Sequence, residues 1–252
     1  MSYLMKSTWN VLILSGLLLT LATTAQAEFI GLNIGAGNRT LPLSNSFNNT
    51  SDLFNQTDYD DQAPPSLLFI LEHPISALPN VKYQGFKLDS TGSDALNGGS
   101  LSFNNQVLGS GSVTSNFELS NSDFILYYEL MDNWVNLDFG LDLKSFSGEV
   151  SLNENGSNAT VYPVDETIPL FYLSARFDLP FNGFYIGADI NSNFSVSDSI
   201  AEDSTFMLGY RSDNSVRVEG GIKKFSLDLN SASDLDANLE YNGLYLNGHF
   251  QF

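Results

Sequence analysis

His73 and His249 are the only two histidines in this chain of 252 residues, and they are its natural candidates for general-base chemistry near neutral pH. Either could activate a serine for acyl transfer if a hydroxyl from a neighbouring strand came within hydrogen-bond reach. Asp138 and Asp142 suggest a carboxylate pair for acid–base hydrolysis. Four positions along a strand separate them by about 13 Å, too far to flank one scissile bond. Asp58, Asp60 and Asp61 form the densest carboxylate run, the donor type that Ca²⁺ and Mg²⁺ prefer, but they lack the spacing and glycine of a calcium loop. Gly220 and Gly221 sit inside a strand pattern, where glycine relieves crowding or allows a bend, and they cradle no phosphate. Without Cys there is no disulfide framework and no thiolate metal site, and nothing calls for a cofactor.

The elements that must carry these residues declare themselves by a period of two. In residues 134–144, Val135, Leu137, Phe139, Leu141 and Leu143 share one face, while Asn136, Asp138, Asp142 and Lys144 share the other. Eleven residues is the length a tilted strand needs to cross a bilayer. The pattern returns at 167–179 and 184–193, around Phe206–Tyr210 and Val216–Lys223, and from Leu244 to Phe252. Further runs at 28–37, 64–74, 80–89 and 122–130 bring the count to ten, an even number as in bacterial single-chain barrels. The expected fold is all-β, a transmembrane antiparallel up-and-down β-barrel of about ten strands, with eight to twelve as the range.

Short turns are expected at 77–80, 131–133, 180–183 and 212–214, and longer polar connections near 38–63, 90–121, 148–166, 194–203 and 230–240. Such alternation of short periplasmic turns with long extracellular loops is how these barrels are built. Tyr127, Tyr128, Trp134, Phe177, Phe181, Phe184 and Tyr210 cluster beside the short turns as a periplasmic aromatic girdle. Both histidines map to that same end, which argues for lumen or girdle roles rather than catalysis. By phase, Glu129, Asp138, Asp142, Lys144, Arg176, Asp178, Asp189, Arg211, Arg217, Glu219 and Lys223 point inward as a lumen charge network. Eight strands are filled by side chains and 16–18 leave a channel, so ten imply a plug or a narrow pore.

The chain opens with Lys6, an apolar run from Val11 to Leu21 and Ala25-Gln26-Ala27, the pattern of a cleaved signal peptide over 1–27. The barrel then occupies 28–252. With Lys+Arg 10 against Asp+Glu 29, the net charge of −19 argues against nucleic-acid binding. Nearly all of the excess falls in the polar connections, where it gives solubility and repulsion or recruits divalent cations to the outer leaflet. Tyr245, Phe250 and Phe252 resemble the C-terminal signal by which outer-membrane proteins engage the barrel-assembly machinery, although glycine stands at Gly248 where that signal would place it at Asn247.

Glu72-His73-Pro74-Ile75 with Leu78-Pro79-Asn80-Val81, Leu126-Tyr127-Tyr128-Glu129-Leu130 with Asp132-Asn133-Trp134-Val135-Asn136-Leu137-Asp138, and Val218-Glu219-Gly220-Gly221 together resemble a family of uncharacterised outer-membrane β-barrel proteins of Gram-negative proteobacteria. The resemblance spans nearly the whole chain after the leader. It implies a fold and a bacterial outer-membrane location, with lipids and lipopolysaccharide as surroundings, and carries no activity. The expected function is therefore a structural, surface-loop barrel with a largely plugged, salt-bridged lumen. A narrow small-solute or ion channel is the alternative, and a lipid-modifying enzyme stands third.

Overall fold

The computed structural model describes residues 31–39, 43–47, 65–96, 101–103, 106–108, 111–154, 160–193, 200–212, 215–230 and 236–251. The expected leader, the run Asp58–Asp61 and Phe252 lie outside them. The described elements are strands throughout: β1 (Gly31–Arg39), β2 (Leu43–Phe47), β3 (Pro65–Glu72), β4 (Asn80–Leu96), β5 (Leu101–Phe103), β6 (Gln106–Leu108), β7 (Gly111–Asp132), β8 (Val135–Glu154), β9 (Thr160–Asp178), β10 (Phe184–Ser192), β11 (Ile200–Arg211), β12 (Val216–Asn230) and β13 (Asp236–Gln251).

All neighbours in the main sheet are antiparallel, and β1 pairs with both β3 and β13, so the sheet closes on itself. Closure pairs the strands on both sides around the ring, as a wall in hydrocarbon requires because an unpaired backbone group there has no water to turn to. Among the described residues, one-sided pairing is found in β2, in β4 beyond Phe86 and in β9 before Phe171. Following paired residues from Leu32 leads through Leu71, Val81, Leu126, Leu141, Phe171, Ser192, Glu202, Ser226 and Glu240 back to Ser44. The path returns to the first strand twelve residues beyond its start (32 to 44), so β2 continues β1 in one wall position. Ten positions make the wall, the expected number. A stagger of this size tilts the strands by about 40°. β5 and β6 form a small separate hairpin between β4 and β7.

Four connections, at 73–79, 133–134 and 179–183 and between Ser212 and Ser215, join strands at one end, together with the start of β1 and the end of β13. Gly183 turns with φ 81°, a conformation that costs glycine nothing, and its carbonyl accepts the Arg211 amide at 2.7 Å. His73 staples the β3–β4 turn: its Nδ1 accepts from the Ile75 amide at 3.2 Å and its Nε2 donates to the Pro79 carbonyl at 3.1 Å.

The outward face carries a belt of exposed large apolar side chains, including Leu67, Phe124, Leu126, Phe139, Leu141, Leu143, Phe171, Leu173, Ile186, Phe206, Leu208, Val218, Leu244 and Leu246. A soluble protein does not leave so continuous a surface to water, whereas acyl chains solvate it. On β8 the belt runs from Val135 to Leu143 and then gives way to Ser145, Ser147 and Glu149. Eight steps of about 3.3 Å on a tilted strand cover roughly 20 Å of barrel height, near that of an outer-membrane apolar band. Trp134, Phe177, Phe181, Phe184, Tyr128 and Tyr210 stand outward at its short-turn edge, as the girdle requires. Tyr127 does not: it is 3 % exposed and faces the lumen, because adjacent strand residues take opposite faces and Tyr128 holds the outer one.

A second correction concerns the polar connections. Residues 90–96, 111–121, 148–154, 160–166, 200–203 and 236–240 are strand, continuing the wall beyond the belt. Their polar side chains pair across strands, with Thr91 Oγ1 donating to Asn116 Oδ1 at 3.0 Å and the Ser93 and Thr114 hydroxyls 3.3 Å apart. Such pairs stabilise a sheet face that meets water on the outside. The inner face keeps an apolar alternation, with Val113, Val150 and Leu152 buried.

Candidate functional site: the barrel lumen

The inward residues fall into layers. Deep in the outer half, Phe86, Phe146, Ile168, Leu170 and Phe225 are buried, with the Phe146 and Phe225 rings 5.5 Å apart between centroids. Lys144 Nζ lies 5.4 Å from the Phe225 ring centroid, at the boundary with the next layer.

That layer is a chain of charges. Lys144, with no exposed surface, donates to Asp123 on the adjoining β7 and to Asp203 on β11 at 2.9 Å. Lys223 on β12 holds the other Asp203 oxygen at 2.7 Å, and Gln84 Nε2 donates to Asp123 at 2.6 Å. In ring order β7 and β8 are separated from β11 and β12 by β9 and β10, so the Lys144–Asp203 bond spans the lumen. Asp142 is fully buried beside this chain, and neither of its oxygens has a hydrogen-bond partner among the described residues.

Toward the short-turn end a second bar crosses. Lys82 on β4 meets Asp189 on β10 at 2.8 Å, with its ammonium 5.1 Å from the Tyr172 ring centroid. Tyr172 packs edge-on to Tyr127 at 5.8 Å, and the Tyr127 hydroxyl donates to Glu72 at 3.1 Å. Glu219 accepts from the Tyr185 hydroxyl at 3.0 Å and faces His249 Nε2 at 3.2 Å. Tyr185 lies flat over Gly209, where a Cβ would come within 2.0 Å of the ring, so the glycine is what admits the tyrosine. Ion pairs this far from bulk water are held only when geometry and added hydrogen bonds offset desolvation, and both bars meet that condition.

Below the second bar the lumen widens into a vestibule with a cavity of about 170 Å³, lined among others by Glu72, Glu129, Asp138, Arg176, Arg217 and His249. A single water needs only about 10–15 Å³, so the vestibule is wet. At its rim Arg211 pairs with Asp178 at 3.3 Å, and Arg176 Nε lies 3.8 Å from the same carboxylate.

The eleven residues expected to point inward therefore occupy several settings. Lys144, Lys223 and Asp189 belong to the two cross-lumen arrays, Glu219 stands with Tyr185 and His249, Asp178 and Arg211 sit at the rim, Glu129, Asp138, Arg176 and Arg217 line the vestibule, and Asp142 stands buried beside the first array. Tyr245 and Phe250 fall on opposite faces, the first buried inward and the second exposed outward. Sequence reasoning missed Asp203, assigned to a connection, Asp123, at the edge of the run 122–130, and Lys82, which the phase of Asn80, Lys82, Gln84 and Phe86 would have placed inward. The two histidines are engaged by backbone groups and by Glu219, an arrangement that braces structure and does not poise a base against a nucleophile.

No family model matches the chain, and no curated protein matches it. Among solved structures it is similar to the outer membrane protease OmpT from Escherichia coli, with TM-score 0.36, 14 % identity, and coverage of 92 % of this chain and 100 % of that one. It is also similar to Salmonella typhi OmpF in complex with daunomycin, with TM-score 0.22, 7 % identity and coverage of 88 % and 97 %. A third is a TodX monoaromatic hydrocarbon channel mutant, with TM-score 0.21, 9 % identity and coverage of 92 % and 91 %. The architecture stated above rests on the strand pairing itself.

Proposed function

We propose that the protein is an integral bacterial outer-membrane barrel without catalytic activity, whose lumen is closed by its own side chains and whose tall strands present a surface platform outside the cell. The observation that carries this reading is the pair of cross-lumen arrays, Lys82–Asp189 and Asp123–Lys144–Asp203–Lys223, backed by the buried aromatic layer. It is exported after cleavage at residue 27, belongs with the uncharacterised proteobacterial barrels it resembles, and uses Tyr245, Phe250 and Phe252 in assembly. Asp58, Asp60 and Asp61 join the other outer acids in drawing divalent cations toward lipopolysaccharide phosphates.

Planar-bilayer recording tests the closed lumen. The purified protein is expected to give a stable insertion without discrete current steps. The second reading, a narrow channel, draws on the wet vestibule. It requires discrete steps whose size changes with Arg217→Ala or Glu219→Ala, and seeing them would overturn the first reading. A lipid-modifying activity would alter lipopolysaccharide mass spectra on overexpression, and unchanged spectra are expected.

A further inference from the structure

The vestibule is chemically two-sided. Around the ring, β3, β7 and β8 contribute Glu72, Glu129 and Asp138 to it, whereas β9, β12 and β13 contribute Arg176, Arg217 and His249. Lys82 on β4 and Asp189 on β10 also reach the cavity but pair with each other at 2.8 Å, and Glu219 on β12 is held by Tyr185. The remaining acids therefore lie toward one half of the wall and the remaining bases toward the other. The basic half converges: the guanidinium carbons of Arg176 and Arg217 lie 5.6 and 5.8 Å from the centroid of the one Tyr185 ring. Two further carboxylates stand in that half: Glu219 accepts from Tyr185 and faces His249, and Asp178, 3.8 Å from Arg176 Nε, is held at the rim by Arg211.

Four polar atoms of residues lining this cavity have no hydrogen bond among the described residues: both ring nitrogens of His249, and one atom each of Asp138 and Arg217. Asp138, 9 % exposed, leaves Oδ1 without a hydrogen bond, and Arg217 leaves Nε without one. Buried charged groups without partners cost folding free energy, and a set of them facing one cavity from opposite walls is what a ligand of complementary charge would satisfy. The outward end of the lumen is filled, so such a ligand enters from the short-turn end, between Asp132 and Arg211.

We propose that the vestibule binds a small zwitterion, an α-amino acid or a short peptide, with its ammonium toward Asp138 and Glu129 and its carboxylate between Arg176 and Arg217. Guanidinium groups are suited to bidentate carboxylate recognition, and opposite walls fix the ligand's direction. A ligand bearing only one of the two charges would leave half of the wall unsatisfied. The site does not depend on whether the barrel conducts.

Titration calorimetry on the full-length protein in detergent micelles, with glycylglycine as the probe, tests this. One saturable site is expected, with acetate and methylammonium each binding at least tenfold more weakly. Asp138→Asn and Arg217→Gln should each weaken glycylglycine at least tenfold, while Lys87→Gln, on the outer surface, should leave it unchanged. Should either vestibule variant fail to fold, as judged by loss of its heat-dependent electrophoretic shift, the wild type supplies a second measurement. Glycylglycine is expected to slow phenylglyoxal modification of Arg176 and Arg217 about fivefold, read by mass spectrometry. Absence of saturable binding, equal binding of acetate, or unprotected arginines would overturn the proposal.

Discussion

Lys144 concentrates what single residues contribute here. Its ammonium is fully buried, contacts two carboxylates from different strands and lies over Phe225. Lys144→Met keeps the length of the side chain but removes the cation from Asp123, which keeps only amide donors such as Gln84, and leaves Asp203 with Lys223 alone. Removing one partner of a buried array costs about 3–5 kcal/mol, and this loss is expected in reversible urea unfolding from lipid vesicles. Lys87 is the counterexample: it lies 3.8 Å from both Asp89 and Glu118 with more than half of each side chain exposed. Lys87→Ala should move the same midpoint by less than about 1 kcal/mol. Equal effects at the two lysines would mean that the lumen is wet throughout and the array contributes nothing to stability.

Strands divide into a lipid part and an aqueous part, and β8 contains both. Phe139 stands near the middle of the belt, and Ser147 is the same face two steps beyond its upper edge. Phe139→Arg is expected to destabilise by about 2–4 kcal/mol and Ser147→Arg by no more than about 1, as depth within the bilayer dictates. A similar cost at both would put the bilayer higher on the wall than the apolar belt does. The same strand explains what was legible in the sequence. The period of two from Val135 to Lys144 gave face, lumen phase and strand count, because lipid on one side and charge on the other leave no choice of residue type. Past Ser145 the outer side turns polar and only Phe146, Val150 and Leu152 stay apolar on the inner side. The Ser, Gly, Asn and Glu around them resemble a loop, yet β8 continues to Glu154 by pairing with β7 and β9. Asp203 was lost to that ambiguity, and Asp123 stood at its edge, where a connection was expected to give way to strand. Partnerships such as Lys82 with Asp189 were beyond reach for another reason, since they depend on the stagger of the whole ring, which no local pattern encodes.

The whole molecule has two unlike ends, and the position of each relative to the cell follows from assembly physics. Four tight turns and both termini of the wall share one end, while the long β4, β7, β8 and β9 extend the wall at the other. A chain delivered from the periplasm need carry only its outer ends across the bilayer, so the short turns should stay behind and the acidic extension should face outward. The absence of Cys makes this orientation directly measurable, because an introduced thiol would be unique. Ser76 lies exposed in the β3–β4 turn, and Ser147 lies exposed on β8 beyond the belt. A bulky polyethylene-glycol maleimide, excluded by an intact outer membrane, is expected to label Ser147→Cys on whole cells and Ser76→Cys only after the outer membrane is permeabilised. The reverse pattern would invert the barrel and put the vestibule, with its acidic and basic walls, in contact with the exterior. Labelling of both sites in intact cells would remove the membrane wall altogether.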